Sequence, residues 1–445
     1  MLRRLVFFLT VLSIFGNLQI PTVQAAGNCA VLDLDPQKTY AVIAGVLKWP
    51  KNAALSPFKQ TDRKDLGLYA ALVLRGVPKA NLTLLMDRQA TKPNILEAIG
   101  SQARQAPPGS LFIFYYAGHG GKSDTGVVSF ASYDCVPTDS LSGVTMQDIA
   151  AAVKDNFKGR RVLFMADCCY SGGLGQAAQE LATSGYETAS LTSADASNLS
   201  AWTWNFTQTV IEGLRGDPLL DLNNDGVISL QEIGDDVREW MKYREDQLYG
   251  YRCYGLKDDF RLVPVDTLAP RRSMPPGGKF ALKEFVHAPD GGHQGVGRIL
   301  GRSQGGYTVE FMDYSAKRIR EVDEAKLDKI QFKRYPVGRD VTVLWNGAPY
   351  AAKILKVEGD FHWITYPGWP SYWDEWVLST RIIDEPPGKV EKVGTLPNGI
   401  KLVPKSGIWE YGGIWNMGTL PVFSRSTGKA GPFAPAVPRG HMARL

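Results

Sequence analysis

From about residue 38 to 265 the chain alternates short apolar runs with helix-periodic stretches, and that alternation leaves few folds open. Residues 40–46, 82–86, 111–116, 127–130, 161–166 and 188–192 read as strands. Between and after them, 62–75, 93–103, 145–153 and 206–214 read as helices, the second with Pro93 at its first turn. Such an order implies an α/β fold, a mostly parallel sheet sandwiched by helices. In sheets of this kind reacting groups collect at the carboxyl ends of the strands.

Two of these strands run out into sequences that carry chemistry. One is Tyr115-Tyr116-Ala117-Gly118-His119-Gly120-Gly121, and the other is Asp167-Cys168-Cys169-Tyr170-Ser171-Gly172-Gly173. His119 and Cys169 lie about 50 residues apart. A thiol is a weak nucleophile until a neighbouring group helps it ionise, and an imidazole is the usual helper. The chain has five histidines, and His119 alone precedes residue 287. Any imidazole-assisted chemistry in the α/β region must therefore use it. A lone loop His or buried Cys is more often structural. Here small residues flank both positions at strand exits, which favours a nucleophile and its base.

These motifs resemble those of the caspase-like peptidase superfamily, and within it the bacterial metacaspases (orthocaspases). Asp65 ahead of Leu68-Tyr69 and Leu72, Phe206-Thr207, and Glu212-Gly213-Leu214 resemble further family elements, and the likeness spans about 38–240. The resemblance implies Cys169 as nucleophile and Cys168 as a packed strand residue, although the residues alone leave the two interchangeable. It implies His119 as general base and then leaving-group acid. The amides of Gly120 and Cys169 would face the developing oxyanion. Asp167 and Asp65 would line an acidic S1 pocket, selecting Arg or Lys at P1 of a polypeptide substrate. The sequence departs from the family at Tyr170, where His is usual, and at Ala117, where Ser is common beside S1.

A second motif follows at 221–232. Asp221, Asn223 and Asp225 offer side-chain oxygens, Gly226 a sharp turn, Val227 its carbonyl, Ser229 a direct or water-borne contact, and Glu232 a closing carboxylate. This is the pattern of the twelve-residue EF-hand loop, so Ca2+ is the expected ion, held weakly and for structure. No organic cofactor is expected.

The remaining segments bear on location and partners. Leu2-Arg3-Arg4, an apolar stretch over 5–15, and Val23-Gln24-Ala25 read as a signal peptide over 1–25, implying a secreted or periplasmic protein. Export permits disulfides, and Cys29 with Cys253 is one conceivable pair. The peptidase-like domain is placed at 30–265 and a Pro/Gly-rich linker at 266–278. Then the texture turns to short aromatic strands that repeat at an offset of about 55, Ile299 with Ile354, Val309 with Ile364, Val322 with Val377. Two small SH3/Tudor-like β-barrels are expected, at 279–332 and 334–386, with a Pro/Gly-rich tail over 387–445. The second carries Trp345, Tyr350, Trp363, Trp369, Trp373 and Trp376, read as mainly barrel core, or else a groove for a peptide, a glycan or the domain's own cleft. A net charge of +5 is too small to argue for nucleic acid, and no membrane contact is expected after signal removal. The competing reading is a catalytically silent scaffold whose barrels bind a partner.

Overall fold

The computed structural model describes residues 31–383, apart from 51–54, 62, 138, 202, 270–276, 291, 314–315 and 346–347. The expected signal peptide, Cys29 and the tail lie outside the described residues. Strand β1 (Thr39–Gly45) leads through helix α1 (Lys64–Leu74) to β2 (Leu82–Met86), then through α2 (Lys92–Gln105) to β3 (Leu111–Ala117). Three short strands, β4 (Gly120–Lys122), β5 (Val128–Phe130) and β6 (Val144–Thr145), form a small antiparallel sheet of their own. The alternation resumes with α3 (Met146–Lys154), β7 (Arg161–Asp167), α4 (Leu174–Thr183), β8 (Glu187–Thr192) and α5 (Asn205–Arg215). Next come β9 (Val227–Ser229), α6 (Leu230–Glu245), β10 (Gly250–Tyr254) and β11 (Arg261–Pro264), with β11 pairing back onto β9.

The main sheet has six strands in the order β10-β8-β7-β3-β1-β2. All its pairs are parallel except β10 on β8, an antiparallel edge that the sequence pattern did not announce. Both faces are covered, which is why β1 and β3 are buried along their whole length rather than alternating with polar residues. Ile43, Ile113, Tyr115 and Leu163 face α1, α5 and α6, and Val42, Phe112, Phe114 and Phe164 face α2, α3 and α4. Side chains alternate between the two cores because a strand has a period of two.

Two five-stranded sheets follow. The first contains β12 (Phe285–Asp290), β13 (His293–Arg302), β14 (Gly306–Asp313), β15 (Ala316–Asp323) and β16 (Asp328–Lys329). The second contains β17 (Asp340–Trp345), β18 (Ala348–Glu358), β19 (Phe361–Thr365), β20 (Glu375–Leu378) and β21 (Ile382–Ile383). Their strand orders are the same, β15-β14-β13-β12-β16 and β20-β19-β18-β17-β21. Each has a register shift at the repeated Ile, between Ile299 and Gly301 and between Ile354 and Lys356. The repeated residues Ile299, Val309 and Val322, and Ile354, Ile364 and Val377, are equivalent core positions.

The first small sheet is joined to the α/β domain by buried charge. Arg298 is fully buried, donates to Asp236 of α6 at 2.6 Å and to Glu310 of β14 at 2.8 Å, and lies over the Trp240 ring. Phe285 stacks on Tyr243 of the same helix at 4.8 Å. Removing the cation takes the shared guanidinium from two buried carboxylates, of which Asp236 keeps Lys283 at 3.4 Å. Arg298→Ala should therefore cost about 3–5 kcal/mol. The measurement is urea unfolding of the whole chain, where an unchanged midpoint would exclude this role for Arg298.

Candidate active site

The site is assembled by strand register. β3 and β7 are neighbours and pair in parallel from Leu111↔Arg161 to Ala117↔Asp167. The two motifs therefore leave the sheet side by side, one strand spacing apart, about 4.8 Å. On the other side of β3, Gly45 pairs with Ala117, so Gly45, Ala117 and Asp167 make one row across the carboxyl end of the sheet. Past the strand ends the chains pack tightly. A Cβ at Gly120 would collide with the Cys169 carbonyl and stand 3.1 Å from the Cys168 sulfur. Gly118 has φ of +154° and lies against Tyr116 and the Val46 carbonyl, so only glycine fits there.

His119 is held by residues the sequence motifs did not indicate. Its Nε2 donates to the Ser56 carbonyl at 2.8 Å. A carbonyl only accepts, so Nε2 carries the proton and Nδ1 is left as the basic nitrogen. The ring packs between Phe58 at 4.5 Å and Trp49 at 4.9 Å, and Trp204 meets Phe58 edge-on. Burial pushes the imidazole below its ordinary pKa. The positioning residues come from the connection after β1. Only the general rule that strand exits build sites could have pointed there.

Cys169 is half-buried and Cys168 is buried. The Cys169 sulfur receives the Ser200 amide at 3.3 Å and lies 3.8 Å from the Ser200 carbonyl, while the structure places no hydrogen bond between this thiol and His119. Tyr170 adopts a left-handed conformation with φ of 56°, and its amide donates to the Asn198 carbonyl at 2.8 Å. Burial raises the Cys169 thiol and raises Cys168 still further. Both shifts favour the uncharged forms of the thiol and the imidazole.

The two carboxylates expected at S1 are both buried and both engaged. Asp167 receives the Thr207 hydroxyl at 2.6 Å and its amide at 3.2 Å. Burial lifts its pKa to about 6 against these bonds. Asp65 packs on Gly45 and pairs with Arg63 at 2.6 Å. The same guanidinium reaches Asp87 at 2.6 Å and the Gly45 carbonyl at 2.9 Å. Arg63, not predicted, therefore neutralises one of the two acids. Ala117 lies buried between Gly45 and Asp167 in the row.

At 221–232 the oxygens turn toward the loop's own amides. Asp221 accepts from Asp225 and Gly226, Asn223 from Asp225, and Asp225 from Val227. Glu232 accepts from Leu222 and, in a capping box for α6, from the Ser229 amide and hydroxyl. Among the described residues no three His, Cys, Asp or Glu side chains gather as a metal site. Nor is any described helix long and apolar enough to cross a membrane. Cys135, Cys168, Cys169 and Cys253 are free thiols.

With the two motifs at adjacent strand exits, comparison with known proteins becomes informative. Residues 70–177, which contain both, match the family model "Metacaspase, peptidase C14 domain". The α/β domain is caspase-like in fold and similar to metacaspase peptidase domains. Metacaspase-4 of Arabidopsis thaliana is 30% identical over 122 residues, 25% of this chain and 29% of that protein. Metacaspase-2 of Trypanosoma brucei brucei is 26% identical over 161 residues, 32% of this chain and 44% of that protein. The chain thus spans less than half the length of these curated relatives. Among solved structures, the Geobacter sulfurreducens protein GSU0716 aligns with a TM-score of 0.36 and 16% identity, over 51% of this chain and 97% of that one.

The charge state of this metacaspase-type site is measurable. Alkylation of Cys169 by iodoacetamide, read by peptide mass spectrometry, should rise with pH through a midpoint above the ordinary thiol value of about 8.5. Cys168 should stay unmodified. A midpoint near or below 7 would show a preformed thiolate instead.

Proposed function

We propose that this chain is an exported cysteine endopeptidase that cuts after Arg or Lys, with Cys169 as nucleophile and His119 as base. The observation that supports the reading is the β3–β7 register, which sends the His119 and Cys169 motifs out of neighbouring strands, with Gly120 packed on the Cys169 carbonyl. The missing thiol–imidazole bond does not weigh against it, since catalytic hydrogen bonds are often loose before substrate arrives. Export is supported by the basic start, apolar stretch and small residues of 1–25.

In the proposed reaction Nδ1 takes the Cys169 proton as sulfur attacks the scissile carbonyl carbon. The oxyanion forms between the amides of Gly120 and Cys169. The imidazolium returns the proton to the leaving amine as the C–N bond breaks, leaving an acyl-enzyme. Water then attacks with His119 again as base, releasing the carboxylate and restoring the thiol. The depressed imidazole pKa keeps the base unprotonated at neutral pH, while the raised thiol pKa means that the proton moves during attack.

The basic P1 preference is supported by Asp167 and Asp65 flanking the Gly45–Ala117–Asp167 row. Since Arg63 pairs with Asp65, Asp167 is the carboxylate whose charge an incoming Arg or Lys meets. Its raised pKa sets a pH window. Its carboxylate protonates as pH falls through about 6, so KM for basic P1 peptides should rise below that value. The test is hydrolysis of fluorogenic Arg, Lys and Asp P1 peptides from pH 5 to 8. Arg and Lys peptides should be cut, and Cys169→Ala and His119→Ala should abolish turnover. Cleavage after Asp would overturn the P1 assignment. No turnover by folded protein would favour a silent scaffold.

Calcium at 221–232 is a second proposal, supported by the all-oxygen donor set of Asp221, Asn223, Asp225, Val227, Ser229 and Glu232. Loading requires Glu232 to turn from the amides it now caps. Millimolar Ca2+ should raise Tm, and Asp221→Ala should remove the effect. An identical Tm in calcium and in chelator would leave the loop a hydrogen-bonded turn.

A further inference from the structure

The connection from β8 to α5, described over residues 193–201 and 203–204, is irregular, yet it supplies groups that hold Cys169 and Tyr170. Ser200 donates to the Cys169 sulfur at 3.3 Å, and the Asn198 carbonyl accepts the Tyr170 amide at 2.8 Å. A loop of this kind has no ladder to hold it, and its ordering entropy must be met from elsewhere. Part of the anchoring is internal to the domain. Ser193 donates to the Ala166 carbonyl and Asp195 to the Leu248 carbonyl. The rest comes from the second small sheet, residues 340–383.

We infer that this sheet is a positioning element of the active site and that Asn198 is the residue through which it acts. The Asn198 side chain is buried and pairs with the backbone of Trp376 in β20 as a peptide group would. Its Nδ2 donates to the Trp376 carbonyl at 2.8 Å and its Oδ1 accepts the Trp376 amide at 3.4 Å. Trp376 is thus two hydrogen-bonded steps and one peptide bond from the nucleophile: its backbone holds Asn198, Asn198 holds Tyr170, and Tyr170 follows Cys169.

A second grip reaches the same loop from behind. Lys242 of α6 pairs with Asp360 of the sheet at 2.5 Å, and Asp246 at the end of that helix feels the charge of Arg381. The next residue, Gln247, accepts the Ala201 amide at 2.7 Å and donates to the Ser200 hydroxyl at 3.2 Å and to the Ser193 carbonyl. The sheet therefore fixes the loop directly at Asn198 and indirectly through the end of α6. The first route ends on Tyr170 and the second on Ser200, the two neighbours of Cys169 that the loop holds. Only an amide side chain serves at 198, because the Trp376 backbone presents one acceptor and one donor. Positioning of this kind acts on the reacting sulfur and not on substrate affinity.

The proposal bears on the reaction proposed above, but its test does not depend on turnover. In the full-length chain, Asn198→Ala removes the direct grip. Lys242→Met removes the distant ion pair while keeping an apolar stem on Tyr243 and Phe332, whose rings Lys242 now covers. Circular dichroism and urea unfolding establish that each variant is folded. The pH midpoint for iodoacetamide alkylation of Cys169 should shift upward in both, because the Ser200 amide that favours the thiolate is no longer held. On an Arg P1 peptide kcat should fall about tenfold or more with KM changed less than about twofold. The double variant should be shifted further than either single variant, since the two grips reach the loop by different routes. Folded Asn198→Ala with an unchanged alkylation midpoint overturns the proposal, whether or not the wild type cleaves peptides. A double variant no worse than Asn198→Ala overturns the claim of a second grip.

Discussion

The parallel pairing of β3 with β7 is the constraint on which the site depends. From Leu111↔Arg161 to Ala117↔Asp167 the two strands run in step, and each ends where its motif begins. A slip of one residue would turn each side chain of the moved strand to the other face of a sheet that is buried on both faces. The aromatic and aliphatic side chains of Phe112, Phe114, Phe164, Ile113 and Leu163 make that slip costly, so core packing holds the register of His119 and Cys169. Glycine does the last part, because the exits approach more closely than any Cβ at Gly120 would allow.

Burial then decides the electrostatics. The aromatic walls that orient His119 also exclude water from it, so the same contacts that place the imidazole lower its pKa. Cys169 and Asp167 are shifted the other way, because burial penalises a negative charge. In the resting site the Ser56 carbonyl selects the tautomer and the Ser200 amide faces the sulfur. The Arg63–Asp65 pair continues the pattern by neutralising the second acid of the row.

The C-terminal half shows how one duplicated pattern can meet two environments. Ile299 and Ile354 occupy the same place in two sheets of the same strand order. Their neighbours differ. Leu300 joins the core of the α/β domain, whereas Leu355 is 40% exposed. The first sheet is bound through its outer face and the Arg298 cluster, the second through the edge near Trp376 and through Asp360. Of the aromatics in the second repeat, Tyr366 is core, while Trp345, Tyr350, Trp369 and Trp373 are half-buried and meet edge to face.

Much of this was legible along the chain, because local rules govern it. Helix α1 was expected over 62–75 and spans Lys64–Leu74, and the strands carrying the two motifs end within one residue of their expected limits. Strand β10 escaped notice because an antiparallel edge with a half-exposed Tyr-Arg-Cys run has neither the apolar continuity of a buried strand nor clean alternation. By itself the sequence determined the alternation of elements, the glycines at the exits, the one histidine ahead of residue 287, the Cys168-Cys169 pair, and the duplication of the small sheets. Only the tertiary structure decided what surrounds them: Ser56, Phe58 and Trp49 on His119, Thr207 on Asp167, Arg63 on Asp65, and Trp376 on Asn198. The physical reason is that periodicity and turn chemistry act over a few residues. The burial and hydrogen bonds that tune a reacting group come mostly from segments far away in the chain, as Trp376 is from Asn198, and no local pattern records them.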